Sequence, residues 1–172
     1  MNRSVVVALV AGAVLGAVGW AALTSARQEL RDPMRGPTEP LAAPRKQAVL
    51  PEEAPAPIGP YSPAIRYGEL LFLSGQVGLD PASGELVEGG VVPQTRQALA
   101  NLQSLLESAG LDFEDVVRAT VYLADLDDYA AFNAEYARWM GRTPPARVAV
   151  QVSRLPFDAR VEISMIAAGA GR

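Results

Sequence analysis

PPARVAVQVSRLPFDARVEISMIA, Pro144 to Ala167, is the stretch on which the fold turns. Each half alternates with a period of two, the signature of a strand with one face on a core. In the first half Val148, Val150 and Val152 share one face, and Arg147, Ala149 and Gln151 the other. In the second, Val161, Ile163 and Met165 oppose Arg160, Glu162 and Ser164. Pro144-Pro145 stiffens the entry to the first strand and ends whatever helix precedes it.

Working outward from that stretch, Tyr129, Phe132, Tyr136 and Trp139 recur at spacings of 3, 4 and 3 and predict a helix, with Asp127 as its N-cap. Val116 to Leu123 is β-branched and alternating and predicts a strand. A longer helix is expected from about Val92 to Ala109, striped by Leu99, Leu102, Leu106 and Ala109 and closed by Gly110. Asp80 to Gly84 is a loop of turn formers. Ala64 to Tyr67, a Gly68-Glu69 turn and Leu70 to Ser74 read as a hairpin. The order is β-β-α-β-α-β-β, an α+β layer with two helices on one face of a mixed sheet. The uncovered face is expected to carry Ala149, Gln151, Ser164 and Ile166. A half-apolar face of that kind is a candidate subunit interface, so a homo-oligomer is expected.

Composition excludes much of enzyme chemistry. The chain has 172 residues, no cysteine and no histidine, and Lys46 is its one lysine. There is no thiolate nucleophile, no Ser-His-Asp relay and no Cys/His zinc site. Arginine, carboxylates, hydroxyls, amides, backbone groups and water remain. The first fifty residues hold 6 basic and 3 acidic side chains, a balance of +3; the rest hold 15 − 6 = 9 basic and 19 − 3 = 16 acidic, a balance of −7. An acidic domain repels a phosphate backbone, so no nucleic-acid partner is expected.

Residues 1–26 contain an uncharged run from Ser4 to Ala26, long enough to cross a bilayer core. It reads either as a secretory signal leaving through Thr24-Ser25-Ala26 or as a retained transmembrane anchor, with the anchor preferred. The expected localisation is membrane-anchored or exported; a cytoplasmic domain is the less favoured alternative. Residues 27–57, rich in proline and charge, read as an unpacked linker. Residues 58–170 form the folded domain.

Among candidate site residues, Arg147 opens a strand behind a rigid Pro-Pro-Ala, and its fork of donors suits a carboxylate. The alternative is a structural ion pair at a sheet edge. Glu162 either holds a water or acts as a base, or is a solvated strand carboxylate. Tyr61, in a rigid Gly-Pro-Tyr-Ser-Pro turn, suits a pocket or a packing lid. Gly75 permits close approach of a ligand or another chain, or marks a β-bulge. Asn133, beside the helix stripe, either satisfies itself on the helix or reaches a pocket. Asp125, Asp127 and Asp128 look metal-like, but a cap and solvated charges explain them better, so no metal is expected.

Together these segments resemble the Rid family (reactive intermediate deaminase, also called YjgF). IGPYSPA at Ile58 to Ala64, LSGQVGLDPASGEL at Leu73 to Leu86, QTRQALANLQSLLESAGLDFEDVVRATVYLADLDDYAAFNAEY at Gln94 to Tyr136, and the Pro144 to Ala167 stretch carry the resemblance. It implies a chorismate-mutase-like fold, a homotrimer with clefts between subunits, and hydrolysis of enamine/imine acids such as 2-iminopropanoate and 2-iminobutanoate to 2-oxo acids and ammonia. Arg147 would clamp the carboxylate and Glu162 would hold the water. Tyr61, Gly75 and Asn133 match the other pocket positions. Ala149 stands where deaminase members often have cysteine, and its backbone carbonyl would position the water. No metal or organic cofactor is implied. The segment Trp139 to Thr143 looks shorter than in archetypal members. The alternative function is a non-catalytic trimer that binds a small carboxylate at a membrane.

Overall fold

The computed structural model of the chain describes residues 45–51 and 59–169. Six strands form one mixed sheet in the order β1-β2-β3-β6-β4-β5. They are β1 (Gln47–Val49), β2 (Ala64–Tyr67), β3 (Leu70–Val77), β4 (Val116–Leu123), β5 (Ala146–Gln151) and β6 (Val161–Ala168). Two α-helices, α1 (Val91–Ser108) and α2 (Tyr129–Tyr136), complete the layer. The β4–β5 pair is parallel and every other pair antiparallel. The α+β architecture expected from the sequence is therefore the one observed.

Alternation in the strands and the leucine stripe of α1 meet in one core. Ala98, Leu99, Leu102, Leu105 and Leu106 of α1 are fully buried, as are Leu71, Ala119, Val121, Leu123, Val161, Ile163 and Ala167 of the sheet. Each fully buried leucine contributes roughly 1.5–3 kcal/mol relative to exposure. Gly110 ends α1 at φ 71, a left-handed conformation that suits glycine, while Leu111 N donates to the Leu106 carbonyl. Two buried polar residues of α1 tie down loops. Asn101 Nδ2 donates to Leu79 O (2.9 Å), and Gln94 Oε1 accepts from Arg160 N (2.7 Å).

The structure departs from the sequence reading in four places. First, β1 lies inside the segment expected to be an unpacked linker, pairs with β2 and packs Val49 against the core. Second, Asp125 and not Asp127 is the cap. Its carboxylate accepts from Asp127 N (3.0 Å) and starts a 3₁₀ turn, Leu126–Asp128, that runs into α2. Helix α2 ends at Tyr136, before the prolines; Trp139 leaves it and packs edge-on against Phe113, centroids 5.9 Å apart.

Third, the faces of β5 are reversed. Arg147, Ala149 and Gln151 pair with Ala119, Val121 and Leu123, all fully buried beneath the helices. Val148 and Val150 therefore lie on the uncovered face, about 40% exposed, with Phe72, Ser164 and Ile166. Ala149 and Gln151 do not belong there.

Fourth, the localisation is corrected. Residues 1–26, on which a membrane-anchored or exported protein was expected, lie outside the described residues. Among the described residues no helix is long and apolar enough to cross a membrane. The folded part thus supplies no span to support that localisation.

Candidate active site

Arg147 enters a cleft of about 460 Å³ between the start of β5 and the end of α2. Its walls include Tyr129, Asn133, Tyr136, Met140, Pro145 and Ala149. The guanidinium lies over three rings, with Cζ 4.6 Å from the Tyr136 centroid, 5.3 Å from Phe132 and 5.9 Å from Tyr129. Ring faces attract a cation and hold the guanidinium plane. Nη2 donates to Asn133 Oδ1 (2.6 Å) and, more weakly, to the Tyr129 hydroxyl (3.4 Å). Among the described residues no carboxylate pairs with Arg147. A cation without a protein anion in an apolar cleft is placed to receive an anionic ligand.

The ionisable walls respond to this setting. Burial pushes the Tyr136 phenol above its ordinary value, and nearby Arg147 works the other way. Its hydroxyl, like that of Thr95, is buried with no hydrogen-bond partner. The Tyr129 phenol is lowered, first by Asn133 and then by Arg147.

Glu162 and Gly75 meet elsewhere. Between Leu73 and Gln76 the β3–β6 register shifts, the bulge that glycine at this position foreshadows. The Glu162 side chain lies across Gly75. A Cβ there would come within 1.8 Å of Oε1 and 3.0 Å of Cγ. Glu162 pairs with Val77 and Tyr122, which belong to a second apolar cluster with Leu79, Leu155 and Ala159. Burial raises its carboxyl above the ordinary glutamate value. Tyr61 is 46% exposed, on a turn tied to β3 just before Gly75 by Ser74 Oγ donating to Ser62 O (2.8 Å) and Ser74 N donating to Pro63 O (2.9 Å).

The named residues thus fall into two groups. Arg147, Asn133 and Ala149 share the cleft; Gly75 and Glu162 share the bulge, with Tyr61 on the adjoining turn. The groups occupy opposite faces. Arg147 is in register with buried Ala119 and Met165, whereas Glu162 lies three residues from Met165 and faces the other way. That offset is about 10 Å along the strand, plus the width of two strand spacings. Within one chain the two groups therefore do not converge on a single pocket. Tyr129 and Tyr136 also belong to the cleft, although their spacing reads only as a core stripe; their signal is the adjacency of that stripe to Asn133. Among the described residues no group of three or more His, Cys, Asp or Glu is placed to hold a metal ion.

Residues 51–169 match the model of the family described as Endoribonuclease L-PSP. A 2-iminobutanoate/2-iminopropanoate deaminase from Capra hircus is 51% identical over 115 residues, spanning 67% of this chain and 84% of that protein. A RutC family protein from Pyrococcus horikoshii is 51% identical over 122 residues, 71% of this chain and 97% of its own. The crystal structure of the YjgF gene product from E. coli superposes with a TM-score of 0.68, at 40% identity over 71% of this chain and 98% of that one. The family match begins at residue 51, so residues 1–26 have no counterpart in it and it lends a membrane or export localisation no support.

Proposed function

The chain belongs to the Endoribonuclease L-PSP family, also called Rid/YjgF, and from that membership we propose that its folded part is a hydrolase of reactive enamine/imine acids. The substrates are of the 2-iminobutanoate/2-iminopropanoate type, and the products are 2-oxo acids and ammonia. The observation that carries the proposal is the pair of half-sites: an unpaired guanidinium in an apolar cleft on one face, and a half-buried carboxylate over a glycine bulge on the other. A homotrimer joined through the uncovered sheet face would bring one protomer's Arg147 to another's Glu162. Tyr67, Leu70, Phe72, Val148 and Val150 are exposed there, the apolar surface such an interface needs.

In this reading Arg147 grips the substrate carboxylate with its remaining donors. Asn133, bonded to Nη2, orients the guanidinium; Tyr61 closes the pocket. Glu162 accepts a proton from water as the oxygen adds to the C=N carbon, and the imine nitrogen takes up a proton from solvent. Glu162 then passes its proton to the carbinolamine nitrogen, the C–N bond breaks to release ammonia, and the hydroxyl proton returns to solvent, leaving the 2-oxo acid. The Ala149 carbonyl helps place the water. An imine is already electrophilic, so anchoring, a placed water and proton movement suffice, and no cofactor is required. A ribonuclease reading of the family name is disfavoured by the −7 balance of residues 51–172, which repels phosphate.

The test is 2-oxo acid and ammonia release from an imine generated in situ by an amino-acid oxidase, comparing wild type with Arg147→Ala and Glu162→Gln. Both variants should fall to near the buffer rate. An Arg147→Ala variant as fast as wild type would remove the site. Wild type that binds 2-oxobutanoate without accelerating hydrolysis would leave a non-catalytic carboxylate-binding module as the better reading.

A further inference from the structure

Tyr129 stands at the mouth of the cleft, its ring centroid 5.9 Å from Arg147 Cζ. The residue is 41% exposed, while Phe132 and Tyr136 are buried behind it. Yet the turn that presents it is held firmly. Leu126 N donates to Gln151 Oε1 (3.0 Å), and Arg160 Nε donates to Asp128 Oδ2 (2.8 Å), tying the residues before Tyr129 to the end of β5 and the start of β6. We propose that Tyr129 is a second anion-binding group of the cleft beside Arg147, its phenol O–H donating to the carboxylate that Arg147 holds.

The hydrogen-bond inventory supports this. The phenol oxygen accepts from Arg147 Nη2, and Asn133 and Arg147 both favour the phenolate, as donors directed at that oxygen do. The O–H proton has no protein acceptor among the described residues. Asn133 already occupies Nη2 at 2.6 Å, so the guanidinium has less to offer an incoming carboxylate. A phenol beside it supplies one further charge-assisted bond in the same place. The charged and titratable groups facing this phenol are Arg147 from β5 and Tyr136 from the same helix; Asp128, just before it, is engaged by Arg160.

The inference rests on Arg147 as the carboxylate clamp, and its test separates the two ideas. Full-length wild type, Tyr129→Phe and Arg147→Ala are titrated with 2-oxobutanoate by calorimetry, at neutral pH and again on the alkaline side, with melting curves to confirm folding. Loss of one hydrogen bond to a charged group weakens binding by about tenfold in Tyr129→Phe. Wild-type affinity should also drop on the alkaline side as the phenol loses its proton and repels the ligand, a loss Tyr129→Phe lacks. If Tyr129→Phe binds as tightly as wild type and follows the same pH course while Arg147→Ala does not bind, Tyr129 has no such role. If wild type itself does not bind, the clamp fails and Tyr129 with it.

Discussion

Replacing Gly75 by alanine separates the position of the Glu162 carboxylate from the stability of the sheet. The new Cβ would sit 1.8 Å from Oε1, 2.7 Å from Cδ and 3.0 Å from Cγ of Glu162. Ordinary carbon contacts lie at about 3.5–4.0 Å, so the carboxylate must move by roughly 2 Å. The backbone need not move, because Gly75 is not in the left-handed region and the obstructing atoms are the far end of a flexible side chain. Removing a glycine at a compatible site contributes about 0.4–1 kcal/mol to stability. An off-rotamer glutamate costs about 0.5–1.5 kcal/mol. The two nearly cancel, so the melting temperature should stay within a few degrees of wild type. Catalysis has no such compensation: a misplacement of about 1 Å lowers rates on the order of 100-fold. The expected result is therefore a folded protein whose kcat/KM for an in situ imine falls by about 100-fold or more. Wild-type turnover in Gly75→Ala would show that the carboxylate does not work from this position. Loss of the cooperative melt would show that the β3–β6 pairing gives way instead of the side chain.

Three further outcomes are expected. Arg147→Lys keeps the charge but loses the planar fork, and KM should rise about tenfold or more, read by steady-state kinetics. Glu162→Gln bears on pH. Burial raises the Glu162 carboxyl, so the folded chain keeps a proton over a range where the unfolded chain has released it. Stability from this group is complete below the ordinary glutamate value and lost as pH rises through the raised one. The variant should therefore melt above wild type at neutral pH, with the gap closing in acid, and the acid limb of the wild-type rate profile should lie above the ordinary glutamate value. Val150→Arg places a charge on the uncovered sheet face, 40% exposed in the single chain. Light scattering should report smaller particles, and hydrolysis should fall although Arg147 and Glu162 remain.

Periodicity made the sheet and both helices legible because apolar residues had to face one core. Val116 to Leu123 is a strand over the residues its alternation predicts, and Leu99, Leu102 and Leu106 of the expected stripe are fully buried, while Ala109 caps α1 and is only partly buried. Alternation divides a strand into two faces without saying which is covered. In β5 the larger valines lie outside, and small Ala149 lies under the helices together with Arg147, whose guanidinium reaches the rings of α2. Strand β1 escaped notice because three residues among prolines carry no readable period; its pairing comes from β2. The cap moved from Asp127 to Asp125 because each aspartate in the run can accept from a nearby backbone N–H, and spacing alone does not choose between them. For the site, residue types pointed to Arg147 and Asn133, which do meet. Their separation from Glu162 depends on register across three strands, which no local pattern encodes.

The sheet also acts as an electrical partition. With the guanidinium beneath it and the carboxylate above it, a lone protomer cannot fold into a self-quenched ion pair that would consume both charges. Each stays available, and in the proposed trimer the exposed valines and phenylalanine, not mutual attraction of opposite charges, would provide the drive for two chains to bring them into one crevice.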